Sequence, residues 1–512
     1  MTYLCVAIFV TDLAQARRDI ALAAESGADM VELRIDTFTD ADQLRELVST
    51  AILPVIVTCR PEWEGGNSEA TDAERISALE TVGAAGATYL DIELATLRRN
   101  PPPATDRPLI VSTHDFTSRP AKLGNLLIEL NQSPGTINKI VWTARSIRDN
   151  LEVFELLKQR HKPTIALCMG EAGMISRILA KKFGAFLTFA SLSTGTGTAA
   201  GQISVREMKE LYRWDAINPR TKVYGVVAQP VMHSMSPAIH NAAFSATNYD
   251  GIYLPLLVEG SYESFKAFME TFLDFEGLDL SGLSITIPHK ENALRYLQER
   301  GGEIEPLAAA IGAVNTIVID RSTGALRLSG INTDYAAILD SITSALGIER
   351  KDLAKHRVAV LGAGGTGRTA VAALAACGAG VLVWNRTSEK AEALAQEFNG
   401  RTGQVAATTL TELIQSKCDI YINTTSVGMY PNVDASPIDD PAECFTSDTL
   451  VFDTIYNPLK TKLLKQAENR GAKTIAGIEM FVRQAATQFG AWTGKAAPRE
   501  LMRTVIERKL PK

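Results

Sequence analysis

Short apolar runs recur through the first 215 or so residues, each followed by a turn and a longer amphipathic segment. They are YLCVAIFV (3–10), DMVELRI (29–35), PVIVTCR (54–60), ATYLDIEL (87–94), PLIVSTH (108–114), KIVWTA (139–144), PTIALCM (163–169) and AFLTFAS (185–191). Runs of this kind, bounded by turn residues, predict strands. Most stretches between them, such as AERISALETVGAAG and LEVFELLKQR, are long enough for a helix. Eight strands alternating with helices predict a (β/α)8 TIM barrel, because a doubly wound sheet rarely extends to eight such units.

The rhythm breaks at RWDAINPRTK (213–222), a polar stretch that reads as a linker. New strand-like runs come next (VYGVVAQP, GIYLPLLV, LSITIP and NTIVID), alternating with helical patterns, so a second α/β unit begins near residue 222. After His356 comes RVAVLGAGGTGRTAVAALAACGAGVLVWNRT, a strand, a glycine-rich turn, a helix and a second strand. That order is the context a Rossmann dinucleotide site requires.

Composition adds exclusions. With 46% hydrophobic and 21% charged residues in 512, the chain has soluble globular composition and room for two to four domains. A net charge of -6 offers no basic face for nucleic acid or an anionic membrane, so small-molecule partners are expected and oligomeric state stays open. The six cysteines are scattered without a C-x-x-C pair, which predicts reduced thiols and no metal site. No apolar stretch is long enough to span a bilayer, and no transit stretch opens the chain, so a cytoplasmic protein is expected. A plastid protein that has lost its leader would read the same way.

Ionisable groups gather at or near strand ends, where barrel chemistry belongs: Glu32, Arg34, Arg60, Asp91, Glu93 and His114. Lys139 opens the sixth run as an isolated cation beside Ile140, Val141 and Trp142. Burial of a lysine favours its neutral amine, a nucleophile toward carbonyls, and a neighbouring histidine can move the proton beside an imine.

Six motifs appear in order: VELRID (31–36), TCRPEWEGG (58–66), VSTHDF (111–116), NKIVWTA (138–144), ISRILA (175–180) and GTAAGQ (197–202). Together they resemble the type I 3-dehydroquinate dehydratases over essentially the first 215 residues. The resemblance implies that Lys139 forms a Schiff base with the ketone of 3-dehydroquinate and that His114 is general base, then acid. It implies that Glu64 supports His114, that Arg177 captures the carboxylate, and that Glu32, Arg34, Arg60 and Gln202 contact substrate. The family commonly has Ser-Ala-Pro-Gly-Gln in its lid; here Thr198 keeps the hydroxyl and Ala200 replaces the proline.

In the later part, Gly362-Ala363-Gly364-Gly365-Thr366-Gly367 comes after a strand and opens a helix, so its backbone can approach a pyrophosphate. The second strand runs into Asn385-Arg386-Thr387, and an arginine in place of the usual acidic residue favours NADP over NAD. HSMSP (233–237), ITIPHK (285–290), AVNT (313–316), GINTDYA (330–336), TTSVGM (424–429, with Thr425) and GIEMFVRQA (477–485, with Gly477) resemble shikimate dehydrogenase over residues 222–512. Taken alone, Thr333 or Asp334 could equally be a helix N-cap.

By that resemblance Ser234 and Ser236 bind the carboxylate, and Thr286, Asn315, Asn332 and Gln484 contact ring hydroxyls. Lys290 and Asp334 flank the reacting oxygen, with Lys290 the proton donor. Met480 lines the nicotinamide pocket and Tyr456 lies near the substrate. Ser284 stands where single-function bacterial members have asparagine, and is expected to alter hydroxyl recognition slightly. His233, His240 and His289 are expected to be structural.

The resemblance also implies domains: a barrel over 1–215, a substrate-binding domain over 222–333 completed by 478–512, and an NADP-binding Rossmann domain over 334–477. The joint reading is a bifunctional enzyme, with 3-dehydroquinate dehydrated to 3-dehydroshikimate and that reduced to shikimate with NADPH. A dehydratase fused to a quinate dehydrogenase is one alternative, opposed by Arg386 and the paired serines. A metabolite-sensing regulator is the other, opposed by the survival of Lys139, His114, Lys290 and Asp334.

Overall fold

Residues 1–192, 202–400, 403–440 and 444–510 are described in a computed structural model of the chain. The first eight strands are β1 (Tyr3–Phe9), β2 (Met30–Arg34), β3 (Val55–Thr58), β4 (Tyr89–Glu93), β5 (Leu109–Asp115), β6 (Ile137–Thr143), β7 (Thr164–Met169) and β8 (Leu187–Ala190). They form one parallel sheet in the order β7-β6-β5-β4-β3-β2-β1-β8. The Phe186 N–H donates to Thr164 O at 2.8 Å across the β7–β8 seam, so the sheet is a nearly closed barrel. Its interior is filled by Cys5, Met30, Ile56, Ile110, Ile137, Val141, Ile165, Leu167 and Phe189.

Alternation along β6 explains where its lysine points. Ile137 and Val141 face the barrel interior, so Lys139 between them does too. It does not open the strand, as the apolar run had suggested; it is the third residue, opposite Ser112 and Ile165. The side chain therefore starts deep and reaches toward the mouth. Two barrel helices are shorter than the rhythm implied, Leu94–Leu97 after β4 and Met174–Ile178 after β7.

The expected linker is packed structure. Trp214 and Ile217 are buried, and the Lys182 ammonium, itself buried, donates to Pro219 O, Thr221 O and Asp279 Oδ2. A ring cluster of Phe154, Phe183 and Phe275 joins the barrel to the second α/β unit. A polar composition concealed this because the buried groups are few and their partners lie far along the chain.

The second sheet holds β9 (Lys222–Ala228), β10 (Gly251–Leu257), β11 (Leu280–Ile285), β12 (Glu303–Ile304), β13 (Thr316–Asp320) and β14 (Arg327–Ile331) in the order β10-β9-β11-β13-β14-β12. Edge strand β10 lies against the barrel helix Met174–Ile178. The third sheet is all parallel, β17-β16-β15-β18-β19-β20, from β15 (Arg357–Leu361), β16 (Gly380–Trp384), β17 (Val405–Ala407), β18 (Ile420–Asn423), β19 (Leu450–Asp453) and β20 (Lys473–Ile475).

The last two helices, Gly477–Thr493 and Arg499–Lys509, return to the second sheet. Phe489, Trp492, Met502 and Ile506 share a core with Tyr224, Ile239 and Phe244. Gly282 in β11 makes the approach feasible, because a Cβ there would stand 2.4 Å from the Trp492 indole nitrogen.

Candidate active sites

At the C-terminal ends of the barrel strands, a cavity of about 70 Å³ is lined by Glu32, Arg34, Arg60, Glu64, His114, Lys139, Arg177 and Gln202, together with Phe116, Met169 and Phe189. Of the barrel residues singled out in the sequence, Asp91 and Glu93 are buried behind the lining, and Thr198 lies outside the described residues.

The cavity is built on buried charge. Lys139 Nζ donates to Asp91 Oδ2 at 2.9 Å and Glu32 Oε1 at 3.3 Å, and lies 4.8 Å above the Phe189 ring. The Arg60 guanidinium donates to Asp91 Oδ1 at 2.7 Å, and to Glu93 Oε1 and Ser112 Oγ at 2.8 Å each. Arg75 holds the other Glu93 oxygen at 2.6 Å. Burial alone would raise the Asp91 carboxyl, but Arg60 and Lys139 overcome it and hold the group well below the usual carboxylate range. Arg34 is paired with Asp36 at 2.6 Å and lies over Phe9.

His114 Nδ1 and Glu64 Oε1 are 2.9 Å apart, and the same Glu64 oxygen lies 3.6 Å from the Arg60 guanidinium, which ties the pair to the network. Burial pushes Glu64 up to about 8, against the pull of Arg60, and pushes His114 well below its ordinary range. Both shifts have the same main cause, burial, and both favour the neutral form of the group concerned.

Arg177 is the exception in this network. Its side chain is 2% exposed, its Nε has no partner, and it makes no ion pair among the described residues. Burial, with no carboxylate to oppose it, pulls it down to about 10. A buried guanidinium facing a cavity without a counter-ion is a site for an anion.

The second cavity, about 470 Å³, lies between the second and third sheets. Ser234, Ser236, Ser284, Thr286, Lys290, Asn315, Asp334, Thr366, Tyr456, Gly477, Met480 and Gln484 all line it. Lys290 Nζ donates to Asp334 Oδ2 at 2.6 Å, one group opening the helix Lys290–Arg300 and the other in the first turn of Thr333–Leu346. Tyr456 stacks on Phe481 at 4.6 Å, and the Gln484 amide donates to Phe481 O.

Asn332 is placed differently from its expected role. It is outside the cavity lining; its Oδ1 accepts from Asp334 N and its Nδ2 donates to Ala313 O. It is the N-cap of Thr333–Leu346, one residue before the two caps considered from sequence. His240 and His289 are buried, the latter bonded to Val258 O, whereas His233 is exposed on the cavity rim. Reading the sequence also missed Gln488, which lines the cavity one helical turn beyond Gln484. The four-residue spacing on one helix face was the available signal.

Next to this cavity, the turn after β15 fits a dinucleotide pyrophosphate. Gly362 has φ +113°, and a Cβ on Gly367 would stand 2.1 Å from Gly362 O. Gly364 and Gly365 face open space, so backbone N–H groups at the start of the helix Gly365–Ala376 are free to meet an anion. Asn385 Oδ1 accepts from Ala363 N, and Thr425 packs on the Gly362 turn while bonded to Asn423. Arg386 and Thr387 are exposed just past β16.

Known proteins resemble this chain segment by segment. Family models match in four places: type I 3-dehydroquinase over residues 4–219, shikimate dehydrogenase substrate binding domain over 226–317, shikimate / quinate 5-dehydrogenase over 345–454, and shikimate 5'-dehydrogenase C-terminal domain over 477–507. The bifunctional 3-dehydroquinate dehydratase/shikimate dehydrogenase of Arabidopsis thaliana, named as chloroplastic, is 37% identical over 97% of this chain and 83% of its own. The NADP(+) shikimate dehydrogenase of Methanosarcina acetivorans is 41% identical over 56% of this chain and 98% of its own. A crystal structure of shikimate dehydrogenase in complex with NADP+ superposes with a TM-score of 0.51 at 36% identity, over 58% of this chain and 98% of that one.

Proposed function

The chain belongs to the bifunctional 3-dehydroquinate dehydratase/shikimate dehydrogenase family, and from that premise we propose how its two cavities divide the work. The protein dehydrates 3-dehydroquinate to 3-dehydroshikimate and reduces the latter to shikimate with NADPH. The domain division is proposed as 1–215 for the dehydratase, 222–333 with 478–512 for the substrate domain, and 334–477 for the NADP domain. The return of the last helices to the second sheet supports it.

In the barrel, the Lys139 amine attacks the substrate ketone and expels its oxygen as water, forming an iminium. The charge at Nζ is then the one that Asp91 and Glu32 already compensate, so the network need not reorganise. His114, steadied by Glu64, removes the proton beside the iminium and returns it to the departing hydroxyl as water. Hydrolysis of the product imine frees Lys139. Arg177 takes the substrate carboxylate, and Glu32, Arg34, Arg60 and Gln202 hold hydroxyl and carboxylate oxygens. Thr198 is proposed to act from the lid.

In the cleft, NADPH supplies hydride to the carbonyl carbon. Lys290 gives its proton to the carbonyl oxygen, and Asp334 keeps that ammonium aimed. Ser234 and Ser236 take the carboxylate, and Thr286, Asn315, Ser284 and Gln484 face ring hydroxyls, with Tyr456 closing the side. The glycine turn Gly362–Gly367 holds the pyrophosphate, Met480 and Gly477 the nicotinamide side, and Asn385, Arg386, Thr387 and Thr425 the adenosine side. Six cysteines outside any disulfide, five of them buried, support a reducing compartment, cytoplasm or plastid stroma.

The observation that carries the reading is that each cavity contains one lysine gripped by a carboxylate, at 2.9 Å in the barrel and 2.6 Å in the cleft. The test is a coupled assay from 3-dehydroquinate with NADPH. Lys139→Ala should cut dehydratase turnover on the order of 10⁴-fold and abolish borohydride trapping, leaving shikimate oxidation intact. Lys290→Ala should lower the dehydrogenase about 10³-fold and spare the dehydratase. Dehydration by Lys139→Ala at the parental rate would exclude the covalent route.

A further inference from the structure

One backbone N–H sets the hydrogen-bond polarity of a whole wall of the dehydrogenase cleft. Thr333 N donates to Asn315 Oδ1 at 2.8 Å, which fixes that atom as the amide oxygen. Thr316 Oγ1, 2.7 Å from the same oxygen, must then be a donor to it. With its proton spent, Thr316 Oγ1 can only accept from its next neighbour, Gln488 Nε2 at 2.9 Å. Asn315 O, a backbone carbonyl that can only accept, lies 3.4 Å from the same Nε2 and orients the amide the same way. Gln488 Oε1 is therefore the acceptor that faces Ser284 Oγ at 2.8 Å, and Ser284 gives its proton there. Tyr253 OH, 2.6 Å away, gives its own proton to Ser284 Oγ.

The chain of donors thus runs Tyr253 to Ser284 to Gln488 to Thr316 to Asn315, through residues that are all buried or nearly so. Three of its members, Ser284, Asn315 and Gln488, line the cavity, and the Gln488 amide is engaged on both its oxygen and its nitrogen within the chain. Ser284 has spent its only proton, so it offers the ligand one lone pair. The Asn315 amide donates once to Thr333 Oγ1 at 3.0 Å and has a second N–H left to give. An acceptor beside a donor is the complement of an alcohol, which both gives and receives; a ketone or carboxylate oxygen can use only the donor half.

We propose that Tyr253 and Gln488 are specificity-determining positioning residues that hold Ser284 as a pure acceptor, making the Ser284–Asn315 wall a reader of a ring hydroxyl. The inference rests on the reading of this cavity as the shikimate site. It also explains why serine serves at position 284: its single proton can be removed from the cavity entirely, whereas an asparagine amide always keeps two.

The experiment compares Ser284→Ala, Gln488→Met, Tyr253→Phe and the Ser284→Ala/Gln488→Met double variant, in the full-length protein, by shikimate oxidation. Each single substitution should raise KM for shikimate about 3–10-fold with kcat changed less than about twofold, the size of one neutral hydrogen bond. KM for NADP+ should not move. The double variant should be no worse than Ser284→Ala, because Gln488 acts through Ser284. In Gln488→Met the freed serine can donate, so inhibition by an analogue carrying a ketone in place of that hydroxyl should strengthen relative to shikimate; in Ser284→Ala it should not. Additive effects in the double variant, or parental KM values in Gln488→Met and Tyr253→Phe beside a raised one in Ser284→Ala, would overturn the inference. Parental KM in Ser284→Ala would instead remove the cavity reading on which it rests.

Discussion

The barrel cavity and the dehydrogenase cleft are built from opposite materials. Around Lys139, buried cations and carboxylates alternate: Asp91, Glu93 and Glu32 answer Lys139, Arg60 and Arg75. Around the cleft, one ion pair, Lys290 with Asp334, stands beside a wall of neutral hydrogen bonds running from Tyr253 to Asn315. The difference stems from the chemistry proposed for each. A reaction that makes and unmakes a cation on the enzyme is served by preorganised carboxylates around that atom. A reduction that adds one proton and one hydride leaves no net charge on the ring, so its site can spend neutral dipoles on recognising hydroxyls.

Arg177 tests the comparison most sharply, because it is a buried cation of the barrel cavity with no carboxylate partner among the described residues. Arg177→Met should lower dehydratase kcat/KM about 10²-fold, the loss of a bidentate charged contact. The same change should raise the unfolding midpoint by about 2–4 °C, since a buried charge without a counter-ion is removed. A fall in the midpoint would mean that the guanidinium has a partner in the free protein and that the barrel network is closed without substrate.

The next effect is in pH dependence. Glu64 is raised to about 8 by burial, so below that value the Glu64–His114 unit keeps the proton that His114 must be free to accept. Dehydratase kcat/KM should climb about tenfold per pH unit up to about 8 and level off above it. Glu64→Gln removes the acidic member, and His114 alone is pushed well below its ordinary range, so the rising limb should move to lower pH, with a reduced plateau. An unmoved limb would assign it to another group. Shikimate oxidation by the same variant is the internal reference.

The smallest effect is expected at the edge of the cleft. Arg386→Ala should raise KM for NADPH about tenfold and leave KM for NADH unchanged, because only the former has a 2′-phosphate. An equal change for both would detach Arg386 from cofactor choice.

Much of this was legible in the chain itself. Short apolar runs marked eight barrel strands within a few residues of their observed ends, since a strand buried on both faces must be apolar along its length. The glycines at 362–367 announced their turn because no other residue fits it: Gly362 has φ +113° and Gly367 has no room for a Cβ. Residue types at strand ends marked Glu32, Arg60 and His114 for a similar local reason, whereas Glu64 was marked only by the family resemblance and Lys139 was expected to open its strand rather than to stand third in it.

What the chain could not declare was partnership. Asn332 was expected by resemblance among the substrate contacts, yet it lies outside the cavity lining, its Oδ1 capping a helix and its Nδ2 donating to Ala313 O, a placement fixed by where Ala313 O and Asp334 N come to lie. Trp214 and Lys182 turned an apparent linker into packed structure only once Asp279 arrived from another domain. Lys139 meets Glu32 across 107 residues, and Ser284 meets Gln488 across 204. Local pattern determines which groups are present and which way a strand or helix presents them, because those depend on near neighbours. Whether a buried lysine is neutralised, an arginine left waiting or a serine made an acceptor depends on charges and dipoles a few ångströms away in space, and only the folded chain decides which those are.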